Sequence, residues 1–90
     1  MQKKISLNRF IYSIGVRHIG QENAKILASY FRNIINFENL YNRTKRATIL
    51  TNLKDLDGIG DTQIQSLESF FQNSKNVEVV SSLIKKLNIL

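Results

Sequence analysis

The 90-residue chain has no cysteine, no proline and no tryptophan, and only one histidine. Without cysteine there is neither a disulfide framework nor a thiolate metal site. One imidazole cannot build a zinc site by itself. No apolar run approaches the roughly 18–20 residues of a membrane span. The basic start, MQKK, has no apolar signal core behind it, so no signal peptide is read. Acidic residues are also few, seven against thirteen Lys and Arg, for a formal net charge of +6. Such a balance favours polyanionic partners, nucleic acid or an anionic membrane surface; a solvated basic face is the plainer reading.

What is present points to one small domain. Domains commonly run to about 100–150 residues. A chain this short buries only roughly 60% of its unfolded surface, so its core is thin. Apolar residues make up 42% and charged residues 22%, the balance of a globular domain rather than a disordered chain. Ten asparagines stand in the sequence, a residue suited to caps and turns.

The periodicity is helical almost throughout. Leu7, Phe10, Ile11 and Ile14 fall at i, i+3, i+4 and i+7, one face of a helix. Ser6 is placed to cap it and Gly15 to stop it. Ala24, Leu27, Ala28 and Phe31 repeat the spacing after Gly20, with Gln21 and Glu22 in the first turn. Asn36 is expected to cap a short helix holding Phe37, Leu40 and Tyr41. Asn42–Arg46 reads as a polar, basic loop. A helix with Ile49, Leu50, Leu53 and Leu56 is expected from about Thr48. Asp57-Gly58-Ile59-Gly60 is a tight turn, and Asp61 is expected to cap a helix with Ile64, Leu67 and Phe70-Phe71. Asn73-Ser74 breaks that helix. A last helix, from about Lys75, places Val77, Val80, Ile84 and Leu87 on one face, with Lys85-Lys86 complementing its C-terminal dipole. No strand pattern survives five residues. The tyrosines (Tyr12, Tyr30, Tyr41) and the phenylalanines are expected in the core or at its edge.

Two segments share one grammar of helix, short turn, Ile-Gly, helix: Ile14-Gly15-Val16-Arg17-His18-Ile19-Gly20 and Leu56-Asp57-Gly58-Ile59-Gly60. Gly20 and Gly60 lie 40 residues apart, which suggests two like units. Glycine reaches positive φ without penalty and holds nothing away from the backbone. Each turn leads into a helix start, whose first N–H groups lack intrahelical partners and suit a phosphate oxygen. Ile19 and Ile59 are expected to point inward. Such a site grips a nucleic-acid backbone and reads no sequence. A mere pair of tight turns is the competing reading.

The two segments resemble the helix-hairpin-helix motif. The stretch Arg9-Phe10-Ile11-Tyr12, then Gly15-Val16-Arg17-His18-Ile19-Gly20, then Ala24, looks like the signature of the bacterial NAD-dependent DNA ligase family. Gly58-Ile59-Gly60 with Ser66, Phe70-Phe71 and Asn76 is similar to that family's final hairpin. The resemblance covers about residues 5–89, interrupted in the middle. It departs at Ile64, where the family has alanine, and at Asp61, where proline is common. The first departure is expected to push two helices apart; the second sets a negative charge beside the proposed anion.

The resemblance implies an all-α fold of five or six short helices, a tandem helix-hairpin-helix domain. The first motif spans about 7–31, a connector about 32–48, the second motif about 49–72 and a C-terminal helix about 75–88. It implies non-sequence-specific contact with duplex DNA, nicked in the family's reaction, across the minor groove. The candidate contact residues are Arg17, His18, Ile19, Gly20 and Lys25 in the first unit and Gly58, Ile59 and Gly60 in the second. His18 is equally suited to holding the turn, and Arg9 to DNA proximity or a salt bridge. Arg43, Lys45 and Arg46 suit an added DNA contact or a solvated loop. No catalytic residue is read: Lys54-Asp55-Leu56-Asp57-Gly58 misses the Lys-x-Asp-Gly of an adenylation site by one residue. One histidine supports no Ser-His-Asp set, and the acids are scattered. NAD and Mg are therefore expected on other parts of a parent enzyme, along with its remaining domains. No small-molecule ligand or membrane partner is expected. A bacterial cytoplasmic location follows from the resemblance, as does Met1 as an added start residue. A free-standing helix-hairpin-helix DNA-binding protein and a helical protein–protein module remain the alternatives.

Overall fold

A computed structural model of the protein describes residues 3–90; the expectations for Met1 and the signal-peptide reading of the first two residues lie outside them. The order is β1 (Lys3–Ile5), α1 (Leu7–Ser13), α2 (Gln21–Phe31), α3 (Ile34–Phe37), a 3-10 turn (Glu38–Tyr41), α4 (Arg43–Leu53), α5 (Asp61–Gln72), α6 (Ser74–Lys86) and β2 (Leu87–Ile89). The fold is all-α, as the periodicity indicated. Its one addition is a parallel strand pair, Lys3 opposite Leu87 and Ile5 opposite Ile89. The pair is extended by Leu90 N–H donating to the Ile5 carbonyl at 2.8 Å and Leu7 N–H donating to the Leu90 carbonyl at 3.2 Å. Strands of three residues are too short to show an alternating pattern in a sequence. No described helix is long and apolar enough to cross a membrane.

Asparagine begins three of the helices. The side chains of Asn33, Asn42 and Asn73 accept from the N–H groups of Asn36 (2.8 Å), Lys45 (3.0 Å) and Lys75 (2.9 Å). Each satisfies a donor that the helix start leaves unpaired. This corrects two expectations. Asn33, not Asn36, caps α3; Asn36 instead donates its side-chain N–H to the Phe31 carbonyl at 2.7 Å. The segment Asn42–Arg46 is not a loop: Asn42 starts α4 at Arg43, five residues before Thr48.

The two units repeat in three dimensions. From 21 to 31 the residues are exposed, half-buried or buried in the same order as from 61 to 71. Ala24, Leu27 and Phe31 are buried on α2, and Ile64, Leu67 and Phe71 hold the same places on α5. Phe37 lies between the units. Its ring meets Phe31 edge-on at 5.2 Å and Phe71 edge-on at 5.6 Å, with Phe10 at 6.5 Å. Each such pair contributes about 0.5–1.5 kcal/mol beyond its area. The small Ala24 side chain lets α1 and α2 pack closely, while α4 and α5, with Ile64 between them, pack more loosely. Tyr12 departs from the core-edge expectation at 47% exposure; Tyr30 and Tyr41 keep to it.

Arg46 is the one buried charged residue among those described, at 4% exposure. Its Nε donates to Glu68 at 3.0 Å, and its Nη1 donates to the carbonyls of Leu40 (3.0 Å) and Phe71 (3.2 Å). The guanidinium fork thus ties the 3-10 turn to the end of α5. Arg46 is a structural clamp, withdrawn from the basic surface that the sequence suggested.

Candidate functional site

The first hairpin leaves α1 through Gly15, whose φ of +75° reverses the chain, and turns again at His18 with φ +66°. The second turns at Gly58 with φ +90°. His18 and Gly58 are counterparts 40 residues apart, so the first hairpin keeps the same left-handed turn with a histidine where the second has glycine. The left-handed region costs a non-glycine residue about 1–2 kcal/mol. The two turns also differ in what lies next door. A Cβ on Gly58 would lie 2.5 Å from Ile26 Cδ1, whereas the counterpart of Ile26 near His18 is the smaller Ser66.

Ile19 and Ile59 are buried at 6% and 5% exposure. Their N–H groups close the turns onto Val16 (3.1 Å) and Leu56 (3.3 Å). Each side chain pins its hairpin to the core, as expected. Gly20 and Gly60 then stand at the N-caps of α2 and α5 in extended conformation, φ −89° and −104°. This corrects the expectation for Asp61, which is the first residue inside α5. An extended backbone of this kind admits any residue. Nothing lies closer than 3.8 Å to a Cβ built on Gly20, the nearest atom being Asn23 Oδ1. Neither backbone shape nor internal packing demands glycine at position 20. What its absent side chain leaves open is outward access to a helix start.

The hairpins are neighbours. Asn23 Nδ2 donates to the Gly58 carbonyl at 2.9 Å, and Gln63 Nε2 donates to the His18 carbonyl at 3.4 Å. Such reciprocity, each unit offering the other the same kind of group, marks a pseudo-two-fold relation. The same side chains accept from the N–H groups of their own hairpin glycines, Gly20 at 3.1 Å and Gly60 at 2.9 Å. The glycine N–H groups are therefore already engaged. The first-turn N–H groups that follow, at Gln21 and Glu22 and at Asp61 and Thr62, meet no acceptor among the described residues.

The electrostatics of the two hairpins differ. The side chains of Arg17 and His18 are exposed, make no hydrogen bond or ion pair with any described residue, and overhang a shallow cleft of about 490 Å³ walled by Thr62, Gln65 and Ser66. Lys25, one turn into α2, meets Glu22 at 3.4 Å; both side chains are largely exposed, so the pair yields readily to a competing anion. Around the second hairpin the exposed charges are one cation, Lys54, and three acids, Asp55, Asp57 and Asp61. The structure thus gathers Arg17, His18, Gly20, Lys25, Gly58 and Gly60 on or beside one paired turn. Asn23 and Gln63 were not singled out in the sequence. Their signal was there: an amide stands third after both Ile-Gly pairs.

Comparison with known proteins agrees with this architecture. The model of the helix-hairpin-helix motif matches residues 9–80. A DNA ligase of Pelagibacter ubique is 49% identical over 98% of this chain, and DNA ligases of Rickettsia conorii and Rickettsia rickettsii are 43% and 42% identical over 97%. The chain spans only 12–13% of the length of these relatives. With the paired hairpins, the repeated burial pattern and this match in hand, the chain belongs to the helix-hairpin-helix family.

Proposed function

We propose that the chain binds duplex DNA without reading its sequence, each hairpin holding a backbone phosphate on either side of the minor groove. The observation that carries this is Gly20, a glycine that neither its φ nor its surroundings require, at the mouth of a helix whose first N–H groups meet no acceptor among the described residues. An anion seated there meets the positive end of α2 and, beside it, Arg17, His18 and Lys25. The second hairpin offers the same N–H groups through Gly60 but less positive charge. The first hairpin accordingly carries most of the electrostatic attraction.

The relatives are named DNA ligases, and the chain corresponds to a small part of them. In this reading it is the DNA-gripping piece of a bacterial, cytoplasmic, NAD-dependent DNA ligase that seals nicks in replication and repair. Its residues do not fit NAD or Mg. Lys54 is exposed beside the second hairpin, and no three acidic or histidine side chains among the described residues are gathered for a metal ion. Adenylation and sealing belong to the enzyme's other domains.

A salt titration of binding to a short nicked duplex tests the DNA reading. If the hairpins neutralise about four phosphates, log K falls with a slope of roughly −3.6 against log salt. Association indifferent to salt, or with protein alone, would instead identify a protein–protein module.

A further inference from the structure

We propose that Asn23 and Gln63 are positioning residues, a reciprocal amide latch that fixes one hairpin against the other and so sets the spacing of the two phosphate sites. The inference rests on the DNA reading for its consequence, but the latch itself is a property of the fold. Each side chain makes two bonds with different partners. Its oxygen accepts from the glycine N–H of its own hairpin, and its NH2 donates to a carbonyl of the other. Among side chains, only the amides of Asn and Gln carry an acceptor and an NH2 donor on one rigid planar group. Reversing either amide would set donor against donor, so its orientation is dictated. Both accepting carbonyls belong to the left-handed residues of the turns, His18 and Gly58. The longer amide, Gln63, serves the second unit, where α4 and α5 pack less closely than α1 and α2.

The latch matters because two weak sites on one rigid body act together. Once the first phosphate is held, the second contact forms at high effective concentration only if the spacing is already correct. Below the surface, Ile19 and Ile59 anchor each turn to the core, while the amides join the turns directly. Loosening the joint leaves both helix starts intact and weakens only their simultaneous use.

The test is a double-mutant cycle on the chain with a short nicked duplex. Gln63→Ala is expected to weaken binding about fivefold. In a Gly20→Ala background, where the first hairpin is blocked, the same change is expected to shift affinity less than about twofold, because no second site remains to be aligned. A local role for Gln63 at its own hairpin would give the same loss in both backgrounds, and that result overturns the proposal. Carbon-13 NMR supplies a readout without DNA. Gln63→Ala should move the His18 carbonyl resonance, and Asn23→Ala that of Gly58, with the thermal midpoint checking that each variant folds. Unmoved carbonyls in folded variants refute the latch. A wild-type chain that ignores DNA, with the carbonyl shifts as expected, would defeat the DNA reading and the proposed consequence while leaving the joint established.

Discussion

Gly20→Ala separates a glycine kept for folding from one kept for access. The backbone at position 20 is extended, and the new methyl meets nothing closer than ordinary contact with Asn23 Oδ1 at 3.8 Å. Alanine is a poorer N-cap than glycine by about 1 kcal/mol, but the substitution also restricts the unfolded chain, worth about 0.4–1 kcal/mol in the opposite direction. Net stability should change by less than about 1 kcal/mol, a shift of the thermal midpoint within roughly 4–8 °C. On the outside, the methyl occupies the approach to the N–H groups of Gln21 and Glu22. Losing one or two charge-assisted bonds there, at about 1.5–3 kcal/mol each, weakens DNA binding at least tenfold. Gly58→Ala is the contrasting control: its φ of +90° and the approach to Ile26 Cδ1 make it destabilise the fold by about 1–2 kcal/mol. The measurements are thermal denaturation by circular dichroism and fluorescence anisotropy with a labelled duplex at one fixed salt concentration. A folded Gly20→Ala that keeps wild-type affinity would refute the phosphate site at this helix start.

Three further outcomes are expected. Arg46→Ala strands two buried carbonyls and the Glu68 carboxylate, and should cost about 3 kcal/mol in chemical denaturation, a large share of the about 5–15 kcal/mol typical of a domain; Arg46→Lys should not restore it, since one ammonium lacks the planar fork. Tyr41 has its hydroxyl buried without a hydrogen-bond partner among the described residues, and burial first, then the nearby Glu38 charge, pushes its pKa up to about 12. Below about pH 10 both states hold it neutral; from about pH 10 to about pH 12 only the unfolded chain ionises it, so stability is lost across that window, and Tyr41→Phe should show a shallower decline there in urea midpoints. Parallel curves for the two proteins would contradict this. Asp61→Asn should raise DNA affinity a few-fold at low salt, with the gain closing as salt screens it, while α5 loses about 0.3–1 kcal/mol of favourable dipole interaction.

The helical architecture was legible because each helix buries a stripe at intervals of three and four residues, and such spacing survives in a one-dimensional string. The doubled Ile-Gly turn was legible for the same reason, since Ile19 and Ile59 announce anchors and the glycines announce bends. Three features were hidden. Arg46 looked like part of a solvated basic run because nothing in Arg43–Arg46 reveals that Leu40 of the 3-10 turn and Glu68 and Phe71 of α5 converge on it. The helix caps were misplaced by one to three residues, at Asn36 and Asp61, because several polar residues in a row compete for each cap. The roles of Asn23 and Gln63 depend on partners 35 and 45 residues away, a pairing that exists only once the two turns meet.

The short parallel pair of Lys3–Ile5 and Leu87–Ile89 has a mechanical consequence. Strands that run the same way, pulled from the front of one and the back of the other, slide past each other rather than peel. Their hydrogen bonds are then strained together instead of breaking in succession. The clasp is small, but a force drawing Lys3 and Ile89 apart must shear it before tension reaches the turns between them.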